Sequence, residues 1–248
     1  MTFFIKFFMM RYKLYVFLFL LNAVLFKAQF LDGYPKGQRF YEGGIVQFYK
    51  EINEYLIKNK VPECDSKEIY QPRIIVMQDK TVKLVQDNDT DYISKNKCAY
   101  DISLDLIKNL KNWKPAEVKG NKLGAVTEFI IYPKDLISGY KAGYNPYKNV
   151  TPAEYPNGYT AFDSDFVNNF KFLFRKYALN DDINLEFYVS REGEIVNARI
   201  YPEVKNEAFN IDFKKALSGL KKKWKPAYYS DIPIKQRVAF PGKFSAYF

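Results

Sequence analysis

The sequence predicts an α+β fold built twice. Each repeat is a small antiparallel sheet of about three strands packed against two helices, in the order α-β-β-α-β. Three observations carry this reading. Trp113-Lys114-Pro115-Ala116 returns as Trp224-Lys225-Pro226-Ala227, 111 positions later. Apolar residues precede each tryptophan at the same offsets, Ile102 and Leu106 before the first, Phe213 and Leu217 before the second. Each motif also ends a stretch of helical spacing and leads into β-rich residues. A four-residue coincidence is weak alone; matched flanks make it an internal duplication.

A chain of 248 residues holds one large domain or two small ones. There is no histidine, which excludes triads and metal sites that need imidazole. Two cysteines are too few for a zinc site and enough for one disulfide. The formal charge is +10, falling to +6 when the four basic residues of 1–28, a stretch without acids, are removed. The remaining lysines are scattered, so a solvated basic surface is preferred over nucleic-acid binding.

Residues 1–28 read as a secretory signal. Lys6, Arg11 and Lys13 precede the apolar run Leu14 to Phe26, which is shorter than the roughly 20 residues a membrane span needs. Cleavage is expected after Ala28, with an uncleaved anchor as the alternative. The predicted location is the periplasm, with secretion or inner-membrane anchoring as alternatives.

The first domain is expected over 29–137. Ile45, Phe48, Tyr49, Ile52 and Leu56 share one face of a helix that starts near Gly44 and stops before Pro62. Arg73 to Gln78 and Val82 to Val85 are β-branched runs joined by Asp79-Lys80, an antiparallel hairpin. Asp87-Asn88-Asp89-Thr90-Asp91 starts like a calcium loop. Tyr92 stands where the glycine is required and Cys98 where the bidentate glutamate is required, so a polar loop is preferred. Asp101 is placed as the cap of the next helix, with Ile102, Leu106, Leu110 and Trp113 on its apolar face and Pro115 ending it. Ala125 to Tyr132 reads as the third strand. Cys64 and Cys98 pair if the compartment is oxidising, and remain two buried thiols otherwise.

Residues 138–160, rich in Gly, Pro and Tyr, read as the connection between domains. The second domain is expected over 161–248. Asp163 or Ser164 is placed as the cap of a helix whose stripe is Phe166, Phe170, Leu173, Phe174 and Tyr177. Ile183 to Val189 and Glu194 to Tyr201 form a hairpin turned at Arg191-Glu192-Gly193. Phe213, Leu217 and Leu220 lead to Trp224, and Lys221-Lys222-Lys223 suits the negative end of that helix. Lys235 to Phe240 is the last strand. Trp113, Pro115, Trp224 and Pro226 are the structural anchors of the two repeats.

A hairpin, a helix ending in Trp-Lys-Pro and a closing strand together resemble the TonB C-terminal domain, most closely the forms in Bacteroidetes-type envelope proteins. Tyr41-Glu42-Gly43-Gly44 looks like that group's Phe-Pro-Gly-Gly before its first helix. Glu192-Gly193-Glu194-Ile195 looks like its Asp-Gly-x-Val turn, and Val238-Ala239-Phe240 like its closing strand. The resemblance covers most of 41–132 and 162–244. The chain departs from energy-transducing members in having no long Pro-rich arm. Its equivalent of their Tyr-Pro is Val61-Pro62 in the first half and is absent from the second. The family's closing strand contacts an outer-membrane receptor, so the resemblance implies an envelope partner; coupling to the proton gradient stays open.

The functional expectation is a non-enzymatic binding or transport-accessory module that pairs a partner's strand with a sheet edge. The candidate edges are Val126, Glu128 and Ile130 in one repeat and Arg237, Val238, Ala239 and Phe240 in the other. A rigid two-repeat spacer is the alternative. Catalysis by a carboxylate pair is disfavoured, because no Gly-x-Ser-x-Gly elbow, phosphate loop or paired-thiol motif is present. No cofactor, no metal, no nucleic acid and no small-molecule substrate is expected.

Overall fold

The computed structural model describes residues 30–177, 183–201, 204–220 and 222–242. The expected signal segment lies outside the described residues. The fold is mixed α+β, and the chain divides into two compact units, Met1–Tyr144 and Asn145–Phe248. The division falls inside the stretch read as a connection. Its second part carries structure of its own and belongs to the second unit.

In the first unit, helix α1 (Gly44–Lys58) buries Phe48, Tyr49, Ile52 and Leu56, the face its spacing predicts. Strands β2 (Arg73–Val76) and β3 (Val82–Leu84) form the expected antiparallel hairpin, with Ile75 opposite Lys83. A short helix α2 (Thr90–Lys95) follows, capped by the Asp89 side chain. Helix α3 (Lys97–Asn109) buries Ile102 and Leu106 but starts four residues before Asp101. Asp101 therefore sits inside the helix, where it pairs with Lys97. The first-turn amides of α3 are satisfied instead by Glu68, whose carboxylate accepts from Cys98 and Ala99 at 2.8 and 3.2 Å. A glutamate far upstream in the chain thus takes the role expected of a neighbouring cap.

Leu110 and Trp113 lie past the end of α3 in extended chain, and Trp113 bridges to Tyr41. Strand β4 (Ala116–Val118) then turns into the long β5 (Asn121–Glu128). β5 pairs antiparallel with β2 and β4, and parallel with β1 (Phe30–Leu31), which sets Phe30 beside Gly124 and Leu31 beside Ala125. A one-turn helix α4 (Pro133–Leu136) follows.

The second unit opens with a 3₁₀ turn (Pro146–Asn149) and β6 (Val150–Thr151). Helix α5 (Gly158–Lys176) buries Phe162, Phe166, Phe170, Leu173 and Phe174. It starts five residues before Asp163, behind Asn157 in the left-handed conformation, so neither Asp163 nor Ser164 is its cap. Strands β7 (Ile183–Val189) and β8 (Ile195–Tyr201) pair as the predicted hairpin. Helix α6 (Glu207–Ser218) buries Phe209 and Phe213. β9 (Ala227–Tyr229) and β10 (Ile232–Ile234) pair with each other, and β6 adds to β9. β11 (Gln236–Gly242) runs antiparallel to β7, giving the sheet order β11-β7-β8. Among the described residues, no helix is long and apolar enough to cross a membrane.

Candidate functional site

The two tryptophans are the fixed points from which each unit's edges are placed. Trp113 and Trp224 are 2% and 3% exposed, so both indoles are core. Trp113 donates its Nε1–H to the Leu110 carbonyl at 2.9 Å and meets the Tyr41 ring edge-on at 5.3 Å. Trp224 meets Tyr155 at 5.2 Å and Phe162 at 5.1 Å. In each unit that buried tyrosine donates its hydroxyl to a carboxylate ten residues on, Tyr41 to Glu51 and Tyr155 to Asp165, the latter at 2.8 Å. Burial raises both hydroxyl pKa values far above the ordinary tyrosine range, and the carboxylate partner adds to the shift. Pro115 and Pro226 each stand two residues after a tryptophan and immediately before β4 and β9.

The β7–β8 turn is locked onto this anchor. Gly193 has φ +80°, and a Cβ placed there would lie 2.0 Å from the Trp224 carbonyl oxygen. The Trp224 amide donates to the Gly193 carbonyl at 2.9 Å. The hairpin tip and the Trp-Lys-Pro segment thus touch backbone to backbone, which only a residue without a side chain allows.

Of the residues predicted to form binding edges, Arg237, Val238, Ala239 and Phe240 lie together on β11. β11 pairs with β7 along its whole length, from Gln236 opposite Val189 to Gly242 opposite Ile183. Among the described residues, no strand pairs with its other side. Val238 and Phe240 point into the core, while Arg237 and Ala239 are exposed. Near the start of the strand, the Gln236 side chain accepts from the Ala153 amide at 2.6 Å.

The edge expected over Val126, Glu128 and Ile130 is different. Its strand has already taken β1 at Gly124 and Ala125. Val126 is buried and pairs with Ile75, and Glu128 pairs with Arg73. Ile130 lies beyond the strand, and its amide and carbonyl are both engaged by the Tyr49 hydroxyl, at 3.1 and 3.0 Å. The sequence carries no sign of the parallel strand β1, a two-residue segment next to the stretch read as a secretory signal.

Cys64 and Cys98 are joined in a disulfide across 34 residues. It ties the loop that carries Glu68 to the start of α3. The Asp87–Asp91 stretch is engaged with local backbone: Asp87 accepts from the Asp89 amide and Asp89 from the Tyr92 amide. Among the described residues, no group of three or more His, Cys, Asp or Glu side chains is placed to hold a metal.

Sequence reasoning missed the charge cluster across the second sheet. Glu186 on β7 accepts from Arg199 on β8 at 2.6 Å and from Arg237 on β11 at 2.7 Å. Burial pushes the Glu186 carboxyl up, but the hydrogen bonds from Arg237 and then Arg199 outweigh it and hold the group below the ordinary carboxylate range. The period of two along each strand put all three residues on one face; the cross-strand register that brings them together was not available from sequence.

No family model, no curated protein and no solved structure matches this chain.

Proposed function

We propose that this chain is a non-enzymatic, exported envelope protein made of two copies of a TonB C-terminal-like unit, and that the second copy binds a partner polypeptide by strand addition to β11. The observation that carries the binding role is the contrast between two corresponding strands. β5 has accepted a short parallel strand, β1, on the side away from β2. Among the described residues, β11 is paired with β7 alone. A row of backbone donors and acceptors on such an edge is a template for one more strand.

The duplication is supported by more than the repeated tetrapeptide. Gly44, Phe48 and Glu51 correspond to Gly158, Phe162 and Asp165 at a constant offset of 114, and Tyr41 to Tyr155 at the same offset. From the tryptophans onward the offset is 111, and the turn registers agree: Ala116 opposite Leu123, Ala227 opposite Ile234. Export is supported by the disulfide between Cys64 and Cys98, which suits an oxidising compartment.

The test is hydrogen exchange on residues 29–248 before and after capture of partners from the envelope of the native cell. Amides of β11 gain protection in the complex under strand addition. A stable complex in which β11 exchanges as in the free protein refutes it.

A further inference from the structure

A groove of about 860 Å³ lies in the second unit, on the side of the sheet opposite β11. One wall is β8, the other terminal strand. The facing wall is α6 and the chain that follows it. We infer that this groove is a second docking site, and that its occupant is an acidic peptide segment of a partner protein with apolar residues between its carboxylates.

The chemistry of the groove selects that occupant. Its partly buried apolar residues are Ile195 and Ala198 from β8 and Leu217 and Leu220 from the α6 side. Lys214, Lys222 and Lys223 supply positive charge around them, against Glu194 as the acid. Lys223 is paired with Glu194 at 3.0 Å and Lys222 with Asp165 at 2.7 Å. The two lysine side chains are 65% and 51% exposed, so these pairs are weak and exchange readily for a ligand's carboxylates. The lysines surround a concavity with an apolar floor, which a flat anionic bilayer cannot enter. Among the described residues that line it there is no aromatic ring on which a nucleic-acid base would stack.

This site works differently from the β11 edge. β8 carries a bulge: Asn197 has φ +52°, and Asn197 and Ala198 together stand opposite Phe187, since Val196 pairs with Tyr188 and Arg199 with Glu186. A bulged edge resists extension of the ladder. The occupant is therefore held by side-chain contacts and charge, and the site does not depend on strand addition at β11. In the first unit the corresponding helix α3 packs against its hairpin strand β3.

The experiment uses residues 29–248 and two fluorescent peptides, one alternating glutamate with valine and one alternating lysine with valine. The acidic peptide is expected to bind saturably and more weakly as salt rises. The exposed-site double variant Lys214→Glu/Lys223→Glu should weaken it about tenfold. Amide NMR shifts should centre on Ile195, Ala198 and Leu217. Equal binding of the basic peptide, or unchanged binding by the double variant, overturns the proposal. So does binding of phosphatidylserine vesicles in place of peptide, or no binding at all. Shifts confined to β11 overturn the groove while supporting the edge, so the two sites fail separately.

Discussion

Replacing Gly193 by alanine tests the contact that positions both candidate surfaces of the second unit. The substitution has two costs. Holding an L-residue at φ +80° costs about 1–2 kcal/mol. The new Cβ would also sit 2.0 Å from the Trp224 carbonyl oxygen. That neighbour is backbone and cannot rotate away, so the hairpin tip must lift, at about 1–3 kcal/mol for overpacking. The expected loss is about 2–5 kcal/mol. Gly158→Ala is the control in the same unit, because Gly158 has φ +79° and a Cβ added there would meet nothing within 4 Å. It should lose only the conformational part, about 1–2 kcal/mol. Urea unfolding followed by tryptophan fluorescence and circular dichroism measures both. Equal losses in the two variants would refute the backbone-to-backbone docking of the hairpin on the Trp-Lys-Pro segment.

Trp113→Ala should destabilise the first unit by about 3–5 kcal/mol, because the buried indole leaves a cavity among Tyr41, Phe48 and Phe129; thermal or urea unfolding reads the loss. Reducing the Cys64–Cys98 bond should cost about 3–4 kcal/mol for a 34-residue loop, seen as a lower unfolding midpoint in the presence of reductant. Lys80→Gly should stabilise the first unit by up to about 1 kcal/mol, since Lys80 holds φ +68° at the β2–β3 turn; the urea midpoint should rise without a change in slope. Glu186 has a folded-state pKa below its unfolded value, so its contribution is present above the unfolded pKa and is lost as pH falls through the folded one. Glu186→Gln should flatten that acid limb of the stability profile, and an unchanged limb would remove Glu186 as its source.

Local pattern was enough for the elements whose stability is decided locally. The 3.6-residue spacing of Phe48, Ile52 and Leu56, and of Phe166, Phe170 and Leu173, marked helix faces that are buried as expected. The hairpin at Glu192-Gly193 was legible because its turn requires positive φ. What the sequence hid was satisfied from a distance. Asp101 looked like a cap by type and position, yet the amides of α3 go to Glu68. Tyr155-Pro156-Asn157-Gly158 reads as linker because of its Pro and Gly content, although it launches α5 and, under the proposed duplication, is the counterpart of Tyr41-Glu42-Gly43-Gly44. The edge over Val126, Glu128 and Ile130 was plausible from strand content alone. Whether an edge is open depends on which other segment reaches it, and Phe30–Leu31 gave no periodic signal in two residues.

Under the proposed duplication, the differences between the copies are more informative than their shared parts. The shared parts are the tryptophan, its tyrosine, the carboxylate that tyrosine holds and the hairpin, and all of them serve the core. The first unit adds constraints: a disulfide, a strand laid on β5, and a helix packed on β3. Each of these covers or fixes a surface. The second unit contains neither cysteine, and the strand it adds goes to β9 rather than to β11. Among the described residues, its terminal strands β11 and β8 border, respectively, an edge that no strand pairs with and a lysine-rimmed groove. A duplicated fold relieved of binding in one copy can devote that copy to rigidity and keep recognition in the other. Grafting the segment around Phe30–Leu31 onto β11 through a linker would reproduce in the second unit the arrangement of the first. Strand addition by a partner should then fail while acidic-peptide binding at the groove persists. Loss of both together would show that the two surfaces are one site.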